Sequence, residues 1–365
     1  MPIYEEKLQK DITAIKSEVV KLGNMVQSAV NDSVTALFSG DEKLANMTVL
    51  RDFPINRQCA AINKRCHNFI ARHLPSAGHL RMITSIIQMV MELERMGDYA
   101  RTISREVTHM HMAPEGIIRR DLETMANHVR TTLQKSMEAF ASENIALARA
   151  TMVEAAGASI DLDVAFQDLA AACQQGGGPD HVRNILDLHT VAYMLERVSN
   201  RATNVCEETV FILTGETPPT PIHNIVFLDG DDATLGPMAE VIAKKGYASM
   251  AFFRSAARTP AASLNPAMVE FMRHHGYSLQ SISPKGLDLI TPEIHKVNIL
   301  ISLNGSIRNH GLDIPFHTAV LEWDLGEAPG SDHSPNSDQR FEEIYRSLSA
   351  NLANLMELLC GEEGG

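Results

Sequence analysis

The chain has 365 residues, 44% of them hydrophobic and 5% aromatic, with 45 acidic against 32 basic side chains and a formal net charge of −13. That length suits two or three globular domains and the composition excludes a disordered or collagenous chain; no run of about 18 uninterrupted apolar residues is present to cross a membrane. The acidic balance makes nucleic acid a poor partner, because non-specific affinity for a phosphate backbone comes from Lys and Arg displacing counterions.

The start of the chain, Met1 to Asp11, carries acids where a secretory signal carries basic residues and an apolar core. The five cysteines, Cys59, Cys66, Cys173, Cys206 and Cys360, include no C-x-x-C pair and read as reduced thiols. Both observations predict a cytosolic protein.

From Glu5 onward apolar residues recur three and four apart, as in Leu8, Ile12, Ile15, Val19, Leu22, Val26, Ala29 and Val30, which places one apolar stripe along a helix. The pattern predicts helices from Glu5 to near Ser39, from Asp41 to near Leu74-Pro75, and from Gly78 to near Met112-Ala113-Pro114. A second set follows: Asp121 to near Ser142, Glu143 to near Gln174 and, after the break Gly176-Gly177-Gly178-Pro179, Asp180 to near Leu213. Glu94-Arg95-Met96-Gly97-Asp98-Tyr99-Ala100 and Glu196-Arg197-Val198-Ser199-Asn200-Arg201-Ala202 stand at equivalent points of the two third helices, 102 residues apart. A repeat of that length predicts tandem three-helix bundles, since solenoid units are about 20 to 50 residues long.

The proline-rich stretch after Thr214 reads as a linker, and the grammar changes beyond it. Strands are predicted at Ile222–Leu228, Ala248–Phe253, Val297–Leu303 and Thr318–Leu321, with helices at Pro237–Lys245, Pro266–His275 and Asp338–Cys360. Alternating strand and helix implies a parallel sheet. The predicted fold is therefore multidomain: all-α tandem bundles over 1–114 and 115–216, a linker at 217–221, and an α/β domain over 222–365.

Glu94 and Asp98 are four apart, so both point to one face of a helix. Like charges at this spacing repel unless solvent, a basic neighbour such as Arg95 or Arg101, or a cation relieves them. The second copy offers Glu196 and the carboxamide Asn200 at the matching points, and the second helices add Asp52 with Asn56 and Asp161 with Asp163. Oxygen-rich sites of this kind suit hard or borderline cations such as Mg²⁺, Mn²⁺ or iron. Asn200 brings no charge, so the second site is expected to bind more loosely than the first. His109 and His111 do not share a helical face and receive no role.

These two motifs, with Pro75-Ser76-Ala77-Gly78-His79-Leu80-Arg81 and the closing Ala202-Thr203-Asn204-Val205-Cys206-Glu207-Glu208 and Thr214-Gly215-Glu216, resemble the PhoU family over about residues 5 to 216. His79 stands where that family usually has Asp, and Asn200 where it has an acid. The resemblance implies a cytosolic negative regulator that couples a phosphate ABC transporter and its ATPase to a phosphate-sensing histidine kinase. It also implies a homodimer that reaches the membrane only through partners. Surfaces holding divalent or trivalent metal ions (Fe, Mn, Mg or Zn) are implied too, with Glu94 and Asp98 the firmest ligand positions and Glu196 next.

The later run Ile225-Val226-Phe227-Leu228-Asp229, with Phe253 to Pro260, Asn265-Pro266 and Ile282 to Leu287, resembles the low-molecular-weight tyrosine phosphatase and arsenate reductase family over about residues 222 to 330. In that family a C-x5-R loop supplies a nucleophilic thiolate and a clamping arginine. Asp229 stands at the cysteine position and Leu235 at the arginine position, while Asp231 and Asp232 add negative charge to an anion-gripping loop. The resemblance thus implies a pseudophosphatase. The competing reading takes Asp229-Gly230-Asp231 as the D-x-D start of a Mg²⁺-dependent phosphatase, with the bundles as its regulatory part. Trp323-Asp324 reads as a packed aromatic beside a surface acid.

Overall fold

The computed structural model describes residues 2–110, 112–216, 222–330 and 335–361. The predicted linker 217–221 and His111 lie outside the described residues. The chain divides into two compact units, Met1–Pro219 and Thr220–Gly365.

The first unit is all helix: α1 (Pro2–Ser39), α2 (Glu42–His73), α3 (Ala77–His109), α4 (Gly116–Ser142), α5 (Ile145–Ala155), α6 (Gly157–Gln174) and α7 (Pro179–Thr214). The apolar stripe read from Leu8 to Val30 is buried throughout. The stops are local. Leu74 closes α2 in the left-handed region with its N–H on the Ile70 carbonyl, and Pro75 then denies the helix another donor. Asp41 caps α2 by accepting the Leu44 N–H, as Asn144 caps α5 through Leu147 N–H. Helices α1 to α3 form one bundle; α4, the α5–α6 pair and α7 form the other. The bundles meet along α3 and α7, and one continuous hydrophobic core runs from Leu22 and Leu93 to Val129 and Leu195.

The single helix expected from Glu143 to Gln174 is two. It breaks at Ala156, where one ring nitrogen of His128 on α4 engages the Glu154 carbonyl at 2.7 Å and the other meets Asp161 Oδ2 at 2.9 Å. A Cβ on Gly157 would stand 2.5 Å from the same ring, so the close seat of His128 depends on glycine there.

In the second unit four strands, β1 (His223–Asp229), β2 (Ala251–Ala257), β3 (Ile299–Ser302) and β4 (Ala319–Glu322), form a fully parallel sheet of order β2-β1-β3-β4. Helices α8 (Leu235–Tyr247), α9 (Pro266–His274) and α10 (Pro335–Cys360) pack with Ile225 and Phe227 on one face. Val226, Leu228, Ala256 and Leu300 fill the other face, following the alternation of a strand. Trp323 packs near Phe227, ring centroids 6.1 Å apart. The strand expected at Ala248–Phe253 begins instead at Ala251, because α8 runs on to Tyr247 and a turn spends the next three residues. The remaining elements differ from expectation only at their ends.

Candidate functional site

Two places gather polar chemistry. The first lies on the third helix of each bundle. Glu94 and Asp98 sit half-buried, one turn apart, on α3. A Cβ on Gly97 would stand 3.2 Å from Ile55 Cγ2, so glycine lets α3 lie close on α2 at this level. Arg101 then bridges the two helices, donating to Asp98 Oδ1 at 2.9 Å and to the buried Asp52 Oδ2 at 2.6 Å. Asn56 also donates to Asp52 Oδ2, at 3.0 Å. Cys59 lies in the field of Glu94, Asp52 and Asp98, and burial together with those charges pushes its thiol up to about 12, so it stays neutral.

In the second bundle Glu196 is buried on α7 and its Oε1 accepts from Asn200 Nδ2 at 2.6 Å and Ser159 Oγ at 3.3 Å. Asn200 thus turns its amide hydrogens, not its oxygen, toward Glu196. Asp161 is paired with His128.

The donor chemistry fits a hard cation in kind. Asp52 Oδ1 and Asn56 Oδ1 are buried oxygens that no donor reaches, and such oxygens suit Mg²⁺, Mn²⁺ or iron. Among the described residues, however, no three His, Cys, Asp or Glu side chains form a group ready for a metal ion. Arg101 instead supplies the positive charge.

Several polar groups here had no clear sequence signal. Glu92, on a different face of α3 from Glu94, accepts from Arg201 Nη1 and Asn204 Nδ2 of α7, both at 3.1 Å. Burial first, and then Asp187 of α7, hold the Glu106 carboxyl above its ordinary range. Asp121 of α4 is raised in the same way, by burial first and then by Asp168 of α6. These contacts join helices far apart in the chain, so no local spacing reveals them.

The second place is the loop between β1 and α8, at the carboxyl end of the sheet where strand order switches between β1 and β3. Asp229 ends β1 with 3% of its surface exposed. Its Oδ1 accepts the Gly230 N–H at 2.6 Å and its Oδ2 the Gly236 N–H at 3.0 Å. Burial raises its carboxyl above the ordinary range against the pull of those amides. Asp231 Oδ1 accepts the Ala233 N–H at 3.0 Å. Asp232, at a left-handed φ of 55°, accepts the Lys285 N–H at 2.7 Å and is pushed up to about 6, chiefly by burial. Leu235 is fully buried in the core and offers the loop no charge.

Behind the loop Glu240 is 2% exposed on α8. Its Oε2 accepts from Ser255 N at 2.8 Å, Ser255 Oγ at 2.7 Å and Lys285 Nζ at 2.9 Å, and its Oε1 from Lys244 Nζ at 2.6 Å. An acid inside the apolar run Pro237 to Ala243 was the available signal for this cluster.

Residues 19–107 and 122–209 match the PhoU domain model. The phosphate-specific transport system accessory protein PhoU homolog of Pseudomonas putida is 26% identical over 213 residues, covering 58% of this chain and 82% of the relative. The crystal structure of PhoU from Pseudomonas aeruginosa aligns with a TM-score of 0.54 at 26% identity, over 57% of this chain and 99% of that one. An arsenate reductase in the phosphate binding state aligns over 38% of this chain and 99% of its own at 16% identity, with a TM-score of 0.31.

Proposed function

Taking the helical unit as a tandem pair of PhoU domains, we propose that the chain is a negative regulator of phosphate uptake and phosphate-starvation signalling that acts by contact and not by turnover. The observation that carries this reading is the duplicated domain itself, two matched bundles on one core, in a chain whose relatives are accessory proteins of phosphate transport. Its partners on this reading are the ATPase of the phosphate transporter and the phosphate-sensing histidine kinase. It works in the cytoplasm as a homodimer and touches the membrane through those partners. No helix among the described residues is long and apolar enough to cross a membrane.

The acidic α2–α3 face is the metal-bearing contact surface in this proposal. Asp52, Asn56, Glu94 and Asp98 would hold a divalent or trivalent ion in the first bundle, and Glu196, Asn200 and Asp161 a weaker one in the second. A bound ion would neutralise the carboxylates and set the charge that a partner meets. The α/β unit serves as a docking or dimerisation module without catalysis. In its loop the burial of Asp229, with both carboxylate oxygens bound to backbone N–H groups, opposes the Mg²⁺-dependent phosphatase reading, since a nucleophilic carboxylate needs a free oxygen facing substrate.

Elemental analysis tests the metal face. Wild type purified with Mn²⁺ or iron is expected to carry more metal than Glu94→Ala/Asp98→Ala, and equal content in the two removes the assignment. The same wild-type preparation is expected to leave p-nitrophenyl phosphate intact with or without Mg²⁺; turnover lost in Asp229→Asn overturns the non-catalytic reading.

A further inference from the structure

Helix α2 carries a charge pattern opposite to that of the chain. From Lys43 to Arg72 it holds six cations, Lys43, Arg51, Arg57, Lys64, Arg65 and Arg72, against a single acid, Asp52, in a protein of net charge −13. Asp52 is buried, while all six cations are exposed. The outward face of α2 is therefore basic.

The same face carries three large apolar side chains. Met47, Leu50 and Phe53, at 48%, 56% and 64% exposure, stand three residues apart along its first half. At about 100° per residue they share an arc of roughly 120° with Lys43, Arg57, Lys64 and Arg72. The buried residues Ile55, Cys59, Ile62 and Cys66 lie on the opposite side, so the exposed trio is no part of the stripe that holds the bundle together.

Along the flanks, Glu18 and Asp32 of α1 are tied to Arg65 and Arg51, and Asp98 of α3 meets Arg101. Those pairs weaken the negative field beside the strip. Among the described residues no carboxylate pairs with Lys43, Arg57, Lys64 or Arg72. These four cations are spread along about 44 Å of helix at 1.5 Å per residue. A small anion meets one of them, whereas a continuous negative surface meets all four. The apolar trio in the same arc calls for an apolar layer within reach. A bilayer with anionic headgroups offers both in one plane. The acidic remainder of the chain opposes that contact only within a Debye length, about 8 Å at physiological ionic strength.

We propose that the outward face of α2 docks on an anionic lipid surface, with Met47, Leu50 and Phe53 entering the headgroup boundary and Lys43, Arg57, Lys64 and Arg72 against lipid phosphates. The contact is the chain's own. It adds to any contact made through partner proteins and stands apart from the reading of the chain as a regulator of phosphate uptake.

The test is flotation of the full chain with vesicles of phosphatidylcholine, either alone or with about 30% phosphatidylglycerol. Wild type is expected to float several-fold more with the anionic vesicles and to be released from them by about 0.5 M NaCl. Arg57→Glu/Lys64→Glu/Arg72→Glu is expected to lose at least about tenfold in binding, and Leu50→Ser/Phe53→Ser several-fold. All five positions are exposed, so circular dichroism should show the helix content of wild type. If the triple variant loses helix, the Leu50→Ser/Phe53→Ser pair decides. A control, Arg149→Glu/Arg183→Glu/Arg346→Glu, makes the same change in net charge at exposed positions on other helices and is expected to bind like wild type. Equal loss in that control overturns the proposal, because net charge alone then sets binding. Anionic binding that survives both α2 variants overturns it as well. So does wild type that floats equally with neutral vesicles, or that does not float, the last result giving the face to an acidic protein surface instead.

Discussion

Glu240→Ala is expected to destabilise the α/β unit by about 3 kcal/mol, the largest effect of any single side chain outside the hydrophobic core. Glu240 is buried and accepts four hydrogen bonds, from the Ser255 amide, the Ser255 hydroxyl, Lys285 and Lys244. Truncation leaves the Ser255 N–H in the interior without an acceptor and strands Lys285, whose side chain is only 21% exposed. Lys244 is about half exposed and adds little. Burial works to raise the Glu240 carboxyl, but Lys244, Lys285 and Ser255 outweigh it and hold the group below its ordinary range. A depressed acid stabilises above the pKa of the unfolded chain and loses that contribution as pH falls through the folded value. The difference between wild type and Glu240→Ala, measured by urea denaturation of the α/β transition, should therefore be full at pH 7 and shrink below about pH 4. A variant as stable as wild type at pH 7 would show that the cluster contributes nothing.

Glu92→Ala is expected to cost the helical unit about 2 kcal/mol and to loosen the seam between its bundles. Glu92 is on α3, and both Arg201 and Asn204 are on α7, so this ion pair and amide bond tie one domain copy to the other. Glu92 and Arg201 side chains are 12% and 17% exposed, which places the pair well out of solvent without burying it completely. Arg201 Nε is already without a partner, so losing Glu92 leaves that guanidinium with less still. The contact is separable from general packing by a double-mutant cycle with Arg201→Ala, where a coupling energy of at least about 1 kcal/mol is expected and additive losses would deny the tie.

Much of the fold was legible because it obeys local periodicity. The stripe from Leu8 to Val30 predicted α1 and is buried throughout; the repeat of Glu94 and Glu196 predicted duplicated bundles, and both domain matches lie there. What escaped depends on residues distant in the chain. Only the single Gly157 stands at the break at Ala156, and what it accommodates, the His128 ring on the Glu154 carbonyl, comes from another helix. The shift of β2 to Ala251 reflects how far α8 continues, which its Gly246 did not disclose. At the candidate site, spacing put Glu94 and Asp98 on one face and named Arg101 as a neighbour, but only the packing of α2 on α3 shows that Arg101 also reaches Asp52. In the β1–α8 loop the sequence showed acids where a cysteine and its anion would be. The fold adds that Asp229 turns inward onto the loop's own amides.

The central claim is that the chain restrains phosphate uptake, and the initial rate of radiolabelled phosphate uptake by phosphate-replete cells reads it most directly. Deleting the gene is expected to raise that rate several-fold, and restoring the full-length chain is expected to return it to the parental value. A rate unchanged by the deletion would contradict the account.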